Sequence, residues 1–317
     1  MTDKQLAFKG DDVIRILNYA YSLFKRGQFS ESIEKLEKAL SIDYEYPGVT
    51  SSLKCANFWK EKQEKMESIT DKYERGEFLI SHWKHFITFS KRIGEVSEKC
   101  LFSIKQYIFG KALECYQGLY EESGIYDSDL LLHIGRCYKG IGNYEKAIQF
   151  LEIANQQKSG SPVILVELAD CYAMINEDRA SKVFFREAFF LDPQEIDLST
   201  IETAAIERLS AKLREKGFAA PELLEWVPVY GTIFGVFNVK RELRPIEFGK
   251  LKQNIFRFES ELKNKGEKTG FIVPRLINHY FWLIDHYQST GEEKQRIDEV
   301  LEKLKNLDPV IYKEYTQ

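Results

Sequence analysis

Two pairs of histidines are the residues whose type and spacing best suit metal chemistry. His82 and His85 are three residues apart, and His279 and His286 are seven apart, so each pair would share one face of a helix. A stable site needs a third or fourth ligand, and only Asp285 stands beside either pair. The sequence therefore favours packed or surface histidines, and we predict no metal and no cofactor.

Cysteine chemistry is the second possibility. The 5 cysteines are widely spaced without a CxxC pair, which argues against a disulfide framework or a thiolate zinc site. Cys137 and Cys171 differ by 34 positions, and we interpret them as small buried hydrophobic residues rather than a redox pair. The motifs GxxxxGK[ST] and HExxH are absent from the sequence. A non-enzymatic protein is predicted, and an enzyme that depends on His82 or His133 stays open as an alternative.

Composition and charge narrow the class of partner. The 317 residues are 44% hydrophobic and 30% charged, which is typical of a folded chain. With 45 basic and 49 acidic residues, the net charge of −4 provides no overall field for capturing nucleic acid. The most apolar run, residues 226–239, is shorter than the roughly 20 residues that span a bilayer. The N-terminal residues lack a secretory signal pattern, so we expect a cytoplasmic protein without an integral membrane segment.

A repeat of 34 residues orders the middle of the chain. Apolar residues of one segment follow the period of a helix, stop at a turn residue and resume on a second helix, and the pattern recurs 34 residues later. Small residues such as Gly135 and Ala147 mark where the two helices must approach closely. The matched pairs are Leu131 and Leu165, Ile134 and Leu168, Gly135 and Ala169, Tyr138 and Tyr172, Gly142 and Asn176, Tyr144 and Asp178, Ala147 and Ser181, Leu151 and Phe185, and Ala154 and Ala188.

This pattern resembles the tetratricopeptide repeat. The resemblance implies an all-α fold, a right-handed α-solenoid of helical hairpins whose first helices line a concave face. We expect a solenoid over residues 1–216 with degenerate helices between its clear repeats, one degenerate repeat at 93–126, and a C-terminal helical region over residues 217–317. The clear repeats occupy residues 13–46, 128–161 and 162–195, and a weaker terminal unit occupies residues 277–310.

The apolar run at residues 226–239 interrupts the helical pattern. Pro228, Gly231 and Gly235 break the 3.6-residue period, and an apolar stretch of this kind must be covered by something. We interpret it as an irregular insert packed against neighbouring helices or into the groove. The alternative is an exposed element that docks a partner or a membrane. Its aromatic candidates are Trp226, Tyr230, Phe234 and Phe237.

The repeat register predicts a groove that binds a partner. Positions of the first helix that packing does not use point into the groove, and here they combine apolar anchors with flanking charges. This favours an amphipathic helix or an extended apolar peptide as the ligand of an adaptor or scaffold. The predicted contacts are Leu17, Asn18, Tyr21 and Phe24 in one repeat, Leu132, His133, Arg136 and Lys139 in the next, and Val163, Val166, Glu167 and Asp170 in the last.

Other occupants of the groove stay open at this stage. The C-terminal part of the chain itself could fill the groove, because exposing so many aromatic side chains would favour aggregation. A module that binds a small apolar ligand or lipid would need the run at residues 226–239 to border an enclosed cavity. A self-assembling structural protein would use the same run, or the terminal helix, as its contact.

Overall fold

The described part of the chain is built from helices alone. A computed structural model describes residues 3–123, 127–264 and 269–317, and in these residues the chain forms 15 α-helices and two single-turn 3-10 helices, without a β-strand. The all-α fold with successive helical hairpins is therefore as predicted. The chain divides into two compact units, Met1–Ile153 and Ala154–Gln317.

The first unit contains two of the expected hairpins. Gly27 and Gly142 end the first helix of each hairpin with φ angles of 71° and 80°, a conformation that glycine adopts without strain. The helices are α1 (Asp3–Phe24), α2 (Phe29–Ile42), α3 (Val49–Ser68), α4 (Lys72–Ser90), α5 (Glu98–Ser123), α6 (Ser128–Gly140) and α7 (Tyr144–Gln157), which crosses into the second unit. The hairpins α1–α2 and α6–α7 correspond to the repeats predicted at 13–46 and 128–161.

Gly135, the small residue of α6, lies at a close contact between the two helices of its hairpin. A Cβ atom at Gly135 would lie 2.6 Å from Cγ of Leu151, so the two helices approach this closely only because glycine lacks a side chain. Tyr138 is buried and stacks on Phe150 with ring centroids 5.4 Å apart. The predicted interior positions of this repeat are therefore confirmed.

Residues 93–126 do not form the expected degenerate hairpin. The helix α5 is continuous over 26 residues, a length of about 39 Å. Gly110 lies in its middle and keeps a helical backbone, and no proline or capping residue between Tyr107 and Lys111 ends the first segment. The two expected helices merge for that reason. Residues 124–126 lie outside the described residues.

The second unit holds the remaining helices around one hydrophobic core. They are α8 (Pro162–Met174), α9 (Asp178–Leu191), α10 (Ala204–Glu215), α11 (Glu222–Ile233), α12 (Pro245–Asn264), α13 (Thr269–Thr290), α14 (Lys294–Leu307) and α15 (Pro309–Thr316). The hairpins α8–α9 and α13–α14 match the units predicted at 162–195 and 277–310. Leu213 on α10 and Leu223 on α11 belong to the same core, so the compact units do not divide at the predicted position 216/217.

The apolar run is helical in its first half and irregular in its second. The expectation of a broken helix is wrong for residues 226–233, because α11 continues through Pro228 and Gly231. Burial of side chains on all its sides outweighs the hydrogen bond that Pro228 cannot donate. The ring of Phe237 packs on Gly231, where a Cβ atom would lie 2.3 Å from it. Trp226, Tyr230 and Phe237 are buried and Phe234 is 39% exposed, so the interpretation of an insert packed against neighbouring helices holds.

None of the helices in the described ranges combines the length and the apolar character needed to cross a bilayer.

Candidate functional site

The apolar positions predicted for the groove on α1 are covered by the same unit. Leu17, Tyr21 and Phe24 are all buried. The Tyr21 hydroxyl lies 3.1 Å from Oγ of Ser52 and accepts a hydrogen bond of 3.0 Å from Oγ of Ser97. The segments that begin α3 and precede α5 therefore occupy the face that was expected to meet a guest.

The corresponding positions on α8 are also buried, and one of them has a structural task. Val166 and Glu167 are buried, and Asp170 is 0% exposed. The Asp170 carboxylate accepts hydrogen bonds from the backbone N–H groups of Glu202 and Thr203 at 2.9 and 2.8 Å, and from the Thr203 hydroxyl at 2.6 Å. Because Thr203 precedes the first residue of α10, Asp170 caps that helix from a distance.

Four of the predicted contact residues keep access to solvent. Leu132 and Lys139 on α6 are buried with the others. Asn18 is exposed, while His133, Arg136 and Val163 are half-buried. The accessible residues are mostly polar, so the surface offered by these helices differs in chemistry from the apolar groove that the sequence predicts.

His133 belongs to a cluster of hydrogen-bonding side chains from three helices, the α4–α6 cluster, which consists of Tyr73, Glu77, Tyr116 and His133. Oε1 of Glu77 accepts a hydrogen bond of 2.6 Å from the Tyr116 hydroxyl and lies 3.3 Å from Nδ1 of His133. Nε2 of His133 lies 3.4 Å from the Tyr73 hydroxyl. The rings of Tyr116 and His133 stack with centroids 4.9 Å apart. These four side chains therefore form one connected group.

Local sequence explains how the cluster is assembled. Tyr73 and Glu77 are four residues apart on α4 and so share one face of that helix. The helix starts there because the Asp71 side chain accepts a hydrogen bond of 2.8 Å from the backbone N–H of Glu74. Between them lies Gly76, where a Cβ atom would be 2.5 Å from Cζ of Tyr116. Glycine at this position lets the Tyr116 ring reach the Glu77 carboxylate.

Charge and protonation define what the cluster can do. Burial lowers the pKa of His133, although the nearby Glu77 carboxylate acts in the opposite direction. A neutral imidazole with its proton on Nδ1 can donate to Glu77 and accept from the Tyr73 hydroxyl. Burial, followed by the hydrogen bond to Glu77, raises the pKa of Tyr116, so this phenol stays a donor. The Tyr73 residue is 42% exposed and the Glu77 side chain 44%, which leaves an acceptor and an aromatic ring open to a partner.

The histidine and cysteine candidates are not assembled into a reactive site. Nδ1 of His82 lies 2.8 Å from the Phe78 carbonyl oxygen one turn earlier, so it donates to its own helix. Within the described residues, no three His, Cys, Asp or Glu side chains are placed to hold a metal ion. Cys137 and Cys171 are buried, and burial raises the pKa of the Cys137 thiol.

A cavity of about 110 Å³ lies in the second unit, between residues of α9, α11, α12 and α13. Two of its lining residues are named in the sequence analysis, His279 in the second histidine pair and Pro228 in the apolar run. Its walls are aromatic and its lining includes charged groups, so the cavity is not the purely apolar one that a lipid-binding module would need. The residues that line it include Phe190, Phe258, Arg257, Arg275, Asn278 and His279.

Comparison with known families supports the resemblance to tetratricopeptide repeats. The family model that matches is described as Tetratricopeptide repeat, and it covers residues 128–154, which are α6 and most of α7. No curated protein matches the sequence. Such repeats generally serve protein–protein interaction and are typically scaffolds rather than enzymes. His133, the member of the α4–α6 cluster carried by α6, lies in the matched repeat.

Proposed function

We propose that this chain is a non-enzymatic adaptor or scaffold that binds a segment of another protein at the α4–α6 cluster. The observation that carries the proposal is a partly exposed group of aromatic and hydrogen-bonding side chains on and beside the matched repeat. Holding a connected polar group of this kind in one geometry at a surface costs side-chain conformational entropy, which the free energy of a partner contact would offset. We place this function in the cytoplasm, without nucleic acid as a partner.

The accessible chemistry suits a basic segment better than the apolar peptide expected at first. The apolar groove positions other than Val163 are buried, whereas the carboxylates of Glu77, Asp127 and Asp129 lie close to His133, against one guanidinium from Arg136. The exposed Tyr73 ring adds a face that attracts a cation. A lysine or arginine of the partner would meet both the Glu77 carboxylate and this ring. We therefore propose an extended segment with at least one basic side chain.

The test is co-purification of the full chain from its native cells, with the recovered proteins compared by mass spectrometry. Glu77→Lys reverses the charge of the cluster and should reduce recovery of the partner at least about tenfold, as expected for losing a charged contact. Tyr73→Leu should weaken recovery without touching the bond between Tyr116 and Glu77. The matched control is Glu64→Lys, an exposed glutamate on α3.

The outcomes separate this proposal from its alternatives. Circular dichroism should show unchanged helix content for all three variants. Equal recovery of every co-purified protein with Glu77→Lys and Glu64→Lys would refute a role for the cluster. A molar mass that rises with concentration in light scattering, in the absence of any other protein, would favour the self-assembling structural protein instead.

A further inference from the structure

One side of the cavity in the second unit is formed by a network of hydrogen-bonded side chains. Glu225 is fully buried, and its carboxylate accepts hydrogen bonds from Nε and Nη2 of Arg275 at 2.8 and 2.7 Å and from Nε2 of Gln194 at 2.8 Å. Nη2 of Arg275 also donates to Asp192 at 3.0 Å. These contacts hold Arg275 in place and leave its Nη1 group without a hydrogen-bond partner among the described residues.

Three other side chains of the lining have unused hydrogen-bonding capacity. Asn278 is only 4% exposed, yet its amide makes no side-chain hydrogen bond to any described residue. Nδ1 of His279 donates to the Arg275 carbonyl oxygen at 2.7 Å, which leaves Nε2 unprotonated and free. Cζ of Arg257 lies 4.8 Å from the centroid of the Phe258 ring, and this guanidinium has no acidic partner in the described part of the chain.

The unused groups define the chemistry of an occupant. The free donors are Nη1 of Arg275, the Arg257 guanidinium and the Asn278 amide, so the occupant should be rich in acceptor atoms. Burial lowers the pKa of His279 to about 4, so this imidazole is neutral and the guanidinium groups supply the positive charge. Arg275 is already paired with Glu225 and Asp192, so the uncompensated positive charge of the lining comes from Arg257. Guanidinium groups match the planar geometry of a carboxylate.

The volume limits the size of the occupant. The cavity measures about 110 Å³, and an engineered cavity of about 150 Å³ accommodates one benzene molecule. In proportion, the cavity accommodates about four non-hydrogen atoms, enough for a carboxylate and the adjoining carbon of a short acid. Phe190 and Phe258 provide apolar faces for its body.

We propose that this cavity binds a small free organic acid, with its carboxylate between Arg257, Arg275 and Asn278 and a short apolar body against Phe190 and Phe258. Sodium butyrate is a suitable probe because it has one carboxylate and a short apolar chain. Butyramide has nearly the same shape without the charge, and so serves as its matched control. The carboxylate at the end of a peptide offers the same chemistry from a different source, and acetyl-glycyl-valine tests for it.

Isothermal titration calorimetry of the full chain tests the proposal. We expect butyrate to bind with a Kd below about 1 mM and butyramide to bind at least about tenfold more weakly. Arg257→Gln should weaken butyrate binding at least about tenfold. Because the Arg257 side chain is exposed, we expect this variant to keep its fold. Asn278→Asp should abolish binding by placing a second carboxylate against the ligand. The control is Arg208→Gln, an exposed arginine of α10, which should bind butyrate like the unaltered chain.

Three results would overturn the proposal. The first is no heat from butyrate up to about 10 mM, which would mean that the cavity holds water only. The second is equal binding of butyrate and butyramide, or equal weakening by Arg257→Gln and Arg208→Gln. The third is tighter binding of acetyl-glycyl-valine than of butyrate, which would assign the cavity to the end of a polypeptide.

Discussion

Replacing Asp170 with alanine is expected to loosen the start of α10 in the second unit. The Asp170 carboxylate is fully buried and accepts hydrogen bonds from two backbone N–H groups, those of Glu202 and Thr203, and from the Thr203 hydroxyl. Alanine removes all three acceptor contacts at once. The helix has no substitute cap, because the Thr203 side chain makes no capping hydrogen bond to α10.

The size of the effect follows from these contacts. A backbone N–H group left unsatisfied costs about 1–3 kcal/mol, and loss of a helix cap by itself costs about 1 kcal/mol. Glu202 is exposed and Thr203 half-buried, so water can replace part of what is lost. We therefore expect the free energy of local opening of α10 to fall by about 2–4 kcal/mol, which corresponds to an increase in amide exchange of about 30-fold to about 1000-fold.

Hydrogen–deuterium exchange with mass spectrometry measures this opening directly. Peptides from α10 should exchange faster in Asp170→Ala, while peptides from α14 in the same unit serve as the internal reference. Asp170→Asn keeps one carbonyl oxygen and should give a smaller increase. Asp178→Ala removes an exposed carboxylate from α9 and is the matched control. If α10 exchanges at the same rate in Asp170→Ala and Asp178→Ala, the capping role assigned to Asp170 is wrong.

Two further predictions concern packing and pH. Gly135→Ala should destabilise the first unit by about 1–3 kcal/mol, because the added Cβ atom overlaps Leu151. In the control Gly110→Ala the Cβ atom meets nothing within 4 Å, so this change should be neutral or stabilising by about 0.5–1 kcal/mol. Thermal unfolding followed by circular dichroism compares the two variants, and equal unfolding midpoints would contradict the close contact at Gly135. Because the pKa of His279 is lowered from 6.5 to about 4 by burial, the unfolded chain takes up a proton between these values that the folded chain does not, so stability falls as the pH decreases from 6.5 to 4. His279→Phe should flatten this fall in urea unfolding, and an unchanged slope would exclude His279 as its source.

Local packing is the part of this fold that the sequence predicts well. The 34-residue register locates α6, α7, α8 and α9 because Gly135, Tyr138 and their counterparts pack inside a single hairpin, between residues close in the chain. The continuous helix α5 and the helix through Pro228 are missed. In α11, burial by other parts of the same unit outweighs the preference of Pro228, whereas α5 stays continuous because no proline or capping residue ends its first segment.

The candidate site is only partly readable from the sequence, for a related reason. His133 is identified from its position in the repeat, but Tyr73, Glu77 and Tyr116 come from α4 and α5, which do not follow the repeat pattern. The sequence does indicate that Tyr73 and Glu77 share a helix face, because they are one helical turn apart, with the small residue Gly76 between them. The capping by Asp170 has no local signal, because its partners lie more than thirty residues further along the chain.

The cap that Asp170 provides also bears on whether this repeat array can grow. Solenoids can usually be lengthened by copying a unit, since each unit touches only its neighbours. On α8 the face that a copied hairpin would need is already taken by the segment leading into α10. Duplicating residues 162–195 in place would pull Thr203 away from the original Asp170 and leave one of the two aspartates without its helix. The hairpin α8–α9 is therefore a poor place to insert a further repeat, and attempts to lengthen the protein by repeat duplication should use another hairpin.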